Sequence, residues 1–117
     1  MSYSNAFLIQ VIKDENFPWK PVEALKNGFH KAEKMFIENC LNSIEPNNPE
    51  ANVERSGSCC IVVLIVGNMC YIANVGDSRA ILSSQAGTRI SALSRDHKPL
   101  EEFEKNRIIE AGGKIYQ

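Results

Sequence analysis

The feature that most constrains the fold is an uninterrupted apolar run at residues 59–66, inside the longer stretch 56–82. The run is rich in β-branched residues, which suit a pleated strand, and its eight residues are too few to favour a helix. Gly67 and Asn68 follow, a pair that can supply the positive φ of a tight hairpin turn. Residues 69–75 then form the returning strand. The pattern predicts an antiparallel hairpin whose first strand is apolar on both faces.

Further strands are predicted after this hairpin. Gly76, Asp77 and Ser78 interrupt the apolar pattern, and residues 79–84 resume it. A turn at 85–88 precedes a last strand. We therefore predict four strands at residues 58–66, 69–75, 79–84 and 89–94, the first three forming a meander whose second corner carries Asp77. Residues 114–116 read as the start of another strand.

Two long helices and one short helix are predicted from periodicity. Near-helical spacing of apolar residues marks a short helix over 7–12. A second helix, at 20–41, has Pro21 in its first turn and continues past Gly28, which costs about 1 kcal/mol relative to alanine. Its predicted buried stripe repeats every three or four residues: Val22, Leu25, Phe29, Ala32, Phe36 and Cys40. Residues 42–55 form a polar loop, and a last helix covers 100–111, ended by Gly112 and Gly113.

Length and charge limit the function classes. The chain has 117 residues, 44% of them hydrophobic, and a net charge of −1, which indicates one small domain, or part of a larger one, over 1–117 and no nucleic-acid or membrane partner. The longest apolar run is far shorter than the roughly 20 residues of a membrane-spanning helix. Residues 1–12 lack the pattern of a signal peptide, so we expect an intracellular protein, cytoplasmic or nuclear.

The cysteines favour reduced, buried thiols. Four cysteines occur, at positions 40, 59, 60 and 70. Neighbouring residues of a strand point to opposite faces, so Cys59 and Cys60 do not pair readily with each other. No Cys-x-x-Cys pattern is present, and the two histidines are distant in sequence. A zinc site is therefore not expected.

Four polar residues of the chain are candidates for a structural or a functional role. From the residues alone, Asp77 is interpreted as stabilising its turn by accepting hydrogen bonds from nearby backbone N–H groups. For Arg79, a structural partner is favoured over a substrate contact. Asp96 and His97 resemble a catalytic pair, but a loop-capping aspartate before a helix and a solvent-facing histidine are favoured. On this chemistry alone the chain is an α+β domain without an assigned activity.

Several motifs together resemble the metal-dependent protein phosphatases of type 2C, the PPM family. They are SGSCC at 56–60, YIANVGDSRAIL at 71–82, LSRDHKP at 93–99 and the pattern E-x-x-RI-x-x-AGG-x-I at 104–115. The segment PVEALKNGFHKAEKMFIE, at 21–38, is similar to the helix that precedes this core in the family. The resemblance covers about residues 7–116.

The resemblance implies a fold, an activity and a cofactor. The fold is α+β, here a partial β-sandwich of antiparallel strands flanked by helices. The activity is hydrolysis of phosphoserine and phosphothreonine in phosphoprotein substrates with Mg²⁺ or Mn²⁺. The family's paired-metal carboxylates lie outside the matching segment, and the chain has only three aspartates. Asp77 matches an aspartate that helps to hold a third metal ion. We therefore expect the chain alone to be inactive.

Three functional hypotheses follow. The chain is part of an active phosphatase, a non-catalytic pseudophosphatase that acts as a protein-binding module, or an unrelated α+β binding module. The resemblance begins within a family helix and stops just inside a strand, which favours truncation at both ends. Because part of the family's second sheet would be missing, we also expect self-association through the uncovered sheet.

Overall fold

The computed structural model describes residues 3–44 and 56–116. Its contacts divide the chain into two compact units, 1–57 and 58–117. Most of the loop predicted at 42–55 lies outside the described residues, and the single partial domain over 1–117 stays a prediction. Within the described ranges, no helix is long and apolar enough to cross a membrane.

The first unit is a pair of helices. α1 covers Tyr3–Ile12 and α2 covers Pro21–Asn42, so both predicted helices are confirmed. Their shared core contains Phe7, Val11, Ala24 and Leu25. Val22 was placed wrongly in the buried stripe, since it is 47% exposed. The buried face runs instead through Ala24, Leu25 and Gly28, and Val22 lies at its edge.

Gly28 is a point of close approach between α2 and α1. A Cβ atom added to this residue would collide with Cγ2 of Val11 and would lie 3.2 Å from Cε2 of Phe7. Both side chains belong to the core. The glycine that weakens α2 by its low helix propensity thus makes room for the neighbouring helix.

The second unit begins with the predicted hairpin. β1 (Cys60–Val66) and β2 (Met69–Val75) are antiparallel, with Val66 opposite Met69. Gly67 has φ 60° in the two-residue turn between them, which confirms the predicted turn. On one face of β1, Val63 and Ile65 are 56% and 70% exposed. The predicted uncovered face of the sheet is therefore present.

The next two strands form a separate sheet. β3 (Ile81–Ser84) pairs with β4 (Arg89–Ala92) in an antiparallel hairpin, and β3 does not pair with β2. The predicted three-stranded meander is therefore wrong. The reason is local: residues 76–80 are irregular, and backbone groups of Gly76 and Ala80 bond to residues that follow β4.

The last helix is α3 (Glu102–Glu110), as predicted. Gly112 has φ 80° just after it, and the N–H groups of Gly112 and Gly113 bond back to carbonyls of the last turn, which confirms the glycine stop. The strand predicted at 114–116 is absent from the described part of the chain. A strand needs a paired neighbour, and no such pairing is seen for these residues within 56–116. Helices with antiparallel strand pairs confirm the α+β class.

Candidate functional site

The candidate site comprises the end of β2 and the irregular segment that follows it, residues 74–80, here called the Asp77 corner. It lies against residues 93–97, here called the facing segment. The His97 N–H donates to the Gly76 carbonyl at 3.0 Å, and the Leu93 N–H donates to the Ala80 carbonyl at 2.8 Å. These two bonds bracket Asp77 on both sides along the chain. Main-chain hydrogen bonds therefore hold the Asp77 corner against the facing segment.

Two side chains strengthen this attachment. The Asn74 amide donates to the Gly76 carbonyl at 3.0 Å and to the Arg95 carbonyl at 2.9 Å. The Ser94 hydroxyl accepts from the Ala80 N–H at 2.9 Å. Sequence reasoning did not identify Asn74 or Ser94, because both act on backbone groups of distant residues and neither belongs to a recognisable catalytic pattern.

Gly76 is required by the shape of the corner. Its φ is 104°, a conformation that side-chain-bearing residues rarely adopt. A Cβ atom at this position would also collide with Sγ of Cys59 and would lie 2.7 Å from its Cβ. Only glycine allows the chain to turn here against the start of β1.

Asp77 is exposed at the tip of the corner. Its Oδ1 accepts a hydrogen bond from the Cys59 thiol at 3.5 Å. The backbone hydrogen bonds predicted for its turn are not seen within residues 56–116, so that interpretation of Asp77 is wrong for this part of the chain.

One exposed carboxylate fits a hydrated divalent cation as a single ligand. Mg²⁺ commonly retains several waters and takes only one or two protein carboxylates. Among the residues that the structure describes, no group of three histidine, cysteine or acidic side chains could hold a metal ion. The donor set around Asp77 therefore supplies one ligand and not a complete site.

Arg79 and Asp96 form a two-pronged ion pair. Arg79 Nε and Nη2 lie 2.8 Å and 2.9 Å from the two carboxylate oxygens of Asp96, and Lys98 Nζ is 3.0 Å from Oδ2. The Arg79 guanidinium, followed by the Lys98 ammonium, lowers the pKa of Asp96. Arg79 has a structural partner, as predicted.

Two interpretations of the facing segment are wrong. Asp96 does not cap a helix, because its carboxylate binds the side chains of Arg79 and Lys98. His97 is half-buried, not solvent-facing, and its Nδ1 lies 3.5 Å from the Gly76 nitrogen, from which it accepts. Both residues hold the corner in place, a role that their order in the sequence did not reveal.

A second polar cluster, in the helical unit, was also missed. The carboxylate of Asp14 is buried and lies 2.9 Å from Lys31 Nζ. It also accepts from the amides of Asn16 and Asn27. These partners, led by Lys31, lower the pKa of Asp14. The cluster links the end of α1 to α2. It is a structural element, because the Asp14 carboxylate oxygens are already engaged by protein partners.

Comparison with known proteins gives a consistent result. The family model described as "Protein phosphatase 2C" matches residues 6–117. The chain is 40% identical over 104 residues to protein phosphatase 2C homolog 2 of Hypocrea jecorina, covering 88% of this chain and 21% of that protein. It is 39% identical over 112 residues to probable protein phosphatase 2C 6 of Paramecium tetraurelia, covering 92% of this chain and 37% of that protein.

A third relative, protein phosphatase 2C homolog 3 of Schizosaccharomyces pombe, is 41% identical over 92 residues, covering 79% of this chain and 20% of that protein. The chain thus spans between 20% and 37% of the length of these relatives. No solved structure gives a significant match. The family match extends over nearly the whole sequence, and the chain belongs to the protein phosphatase 2C family.

Proposed function

We propose that this chain is the central part of a phosphatase 2C domain that hydrolyses phosphoserine and phosphothreonine in protein substrates. The observation that carries the proposal is the family match over residues 6–117. The corner geometry supports it, because an exposed carboxylate at Asp77 is held on a turn fixed from both sides. The relatives are named as phosphatases, and the same activity is proposed for the protein to which this segment contributes.

The proposed cofactor is Mg²⁺ or Mn²⁺, with Asp77 as one ligand of a third metal ion. When bound, divalent ions in such hydrolases polarise the phosphoryl group and lower the pKa of a coordinated water. Within residues 56–116 the Cys59 thiol donates to Oδ1 of Asp77, and Oδ2 has no hydrogen-bond partner, which leaves it available for this role. Arg79 does not compete for Asp77, because its guanidinium is engaged by Asp96.

A second candidate function is that of a non-catalytic, protein-binding member of the family. The uncovered apolar face of β1 favours it, since Val63 and Ile65 remain accessible to another protein surface. Self-association through this face is proposed for the chain alone. An intracellular location is also proposed, supported by four free cysteines. The prediction that these thiols are buried is wrong, since two are exposed and two are partly exposed.

The transcript that encodes this segment provides the test. The family resemblance implies that the missing carboxylates include one in an upstream Asp-Gly-His-Gly-Gly sequence. Its presence is expected for the active phosphatase, and its absence would favour the protein-binding member. The protein translated from that transcript should then release phosphate from a phosphothreonine peptide with Mn²⁺. Asp77→Ala should reduce this activity, whereas Asn68→Ala, at the exposed hairpin turn, is the matched control. An extended protein that carries the upstream motif but shows no metal-dependent turnover would contradict the proposal.

A further inference from the structure

We propose that Asn74 is a positioning residue for Asp77: its amide fixes the orientation of the peptide group that joins Gly76 to Asp77. The inference rests on the proposed function for its biological meaning, because it concerns the residue proposed to bind the metal ion. Its geometry rests on the described contacts of residues 74–97.

The first step is the bridging role of the amide. Asn74 Nδ2 has two N–H donors, and it lies 3.0 Å from the Gly76 carbonyl oxygen and 2.9 Å from the Arg95 carbonyl oxygen. One side chain therefore ties the Asp77 corner to the facing segment. Arg95 is itself anchored, because its guanidinium lies 5.5 Å from the centre of the Phe103 ring in α3.

The second step concerns the carbonyl that is held. The Gly76 oxygen accepts from Asn74 Nδ2 and from the His97 N–H, each at 3.0 Å. This carbonyl belongs to the peptide plane that also contains the Asp77 nitrogen. Two donors on the carbonyl therefore fix that plane and, through it, the start of the Asp77 residue.

The third step explains why asparagine occupies the position. Its Oδ1 is buried and lacks a hydrogen-bond partner among the described residues, which is a cost to stability. An aspartate would lack both donors, and a serine hydroxyl would offer one donor where two are used. Asparagine therefore satisfies two backbone carbonyls with its amide N–H groups, while its own Oδ1 has no partner among the described residues.

Residue-resolved hydrogen exchange of this 117-residue chain tests the proposal. In the unchanged chain, the His97 amide should be protected, because it donates to Gly76. In Asn74→Ala, its exchange should accelerate about tenfold, as for the loss of one net hydrogen bond. Amides of the β1–β2 ladder should change less than about twofold. Asn68→Ala is the matched control and should leave both sets unchanged.

Several results would overturn the inference: an unprotected His97 amide in the unchanged chain, unchanged His97 exchange in Asn74→Ala, or equal acceleration of all amides in the unit. The last result would show that Asn74 is merely structural. If Asn74→Ala does not fold, Asn74→Leu keeps a similar side-chain volume without a charge, removes both donors and is judged by the same criteria.

A second readout separates this inference from the proposed function. Titration with Mn²⁺ should broaden the amide signal of Asp77, and Asn74→Ala should raise the required Mn²⁺ concentration several-fold relative to Asn68→Ala. A lack of broadening at Asp77 in the unchanged chain would show that this single carboxylate holds no metal ion, and the metal role is then decided by Asp77→Ala in the extended protein. A localised acceleration at His97 would still support the positioning role of Asn74.

Discussion

Replacement of Gly28 by alanine sets two effects of known size against each other. In a helix interior, alanine is more favourable than glycine by about 1 kcal/mol. The added methyl group, however, would collide with Val11 and lie 3.2 Å from Phe7. Val11 and Phe7 are only 4% and 6% exposed, so neither can move out of the way without opening the core.

The packing term should exceed the propensity term. Inserting a methyl group into a well-packed core typically costs about 1–3 kcal/mol. After the gain in helix propensity is subtracted, Gly28→Ala should lower the free energy of unfolding by about 1 kcal/mol. Considered by sequence alone, the same change would be expected to stabilise the helix, so the two arguments predict opposite signs.

Urea unfolding followed by far-ultraviolet circular dichroism measures this sign. A double-mutant cycle with Val11→Ala provides the control, because removal of the Val11 methyl groups creates space for the new one. In the Val11→Ala background, Gly28→Ala should be neutral or stabilising. A Gly28→Ala chain that is more stable than the unchanged chain, with no coupling to Val11, would refute the close helix approach.

Three further outcomes are expected. Asp14→Asn should destabilise the chain at neutral pH, because Lys31 holds the pKa of Asp14 below its ordinary value. The stability that the Asp14 carboxylate contributes is present above about pH 3.9 and is lost as the pH falls toward the lowered pKa. The urea midpoints of the two chains should therefore converge in acid. The chain alone should hydrolyse neither p-nitrophenyl phosphate nor a phosphothreonine peptide with millimolar Mn²⁺, and turnover that Asp77→Ala abolishes would contradict this. The sedimentation coefficient of the chain should rise with protein concentration, and it should rise less in Ile65→Lys, since Ile65 lies on the uncovered face. A monomer with a sharp melt above about 60 °C would count against this expectation.

The sequence was most informative where structure is determined locally. The two-residue length of the loop at residues 67–68 sets the register of the first hairpin, because it leaves no freedom in strand pairing, and Gly67 supplies the positive φ of the turn. The stripe of α2 likewise follows from a regular period. The predicted stripe was wrong at Val22 because the direction of the buried face depends on where α1 packs, and α1 packs next to Gly28.

Features that depend on distant residues were not predictable in the same way. Asp14 lies 17 positions from Lys31, and no local pattern distinguishes this pair from other charged residues. The break between β2 and β3 was recognised at Gly76, but a change of sheet could not be deduced without the bonds to residues 93–97. Within the site, Asp77 was identified by resemblance alone. The roles of Asn74 and His97 became clear only from their hydrogen bonds in the folded chain.

The register of the first hairpin also determines what oxidation can do to this chain. Cys70 stands opposite Ile65, five positions along the strand from Cys60, a separation of about 17 Å at the rise of a β-strand. Cys59 is farther away still, and a disulfide requires Cα atoms less than about 7 Å apart. Neither Cys59 nor Cys60 can therefore bond to Cys70 while the hairpin is intact. A disulfide that Cys70 forms in the folded unit must join it to Cys40 or to another molecule, so a non-reducing gel can distinguish crosslinked pairs from monomers without an added label.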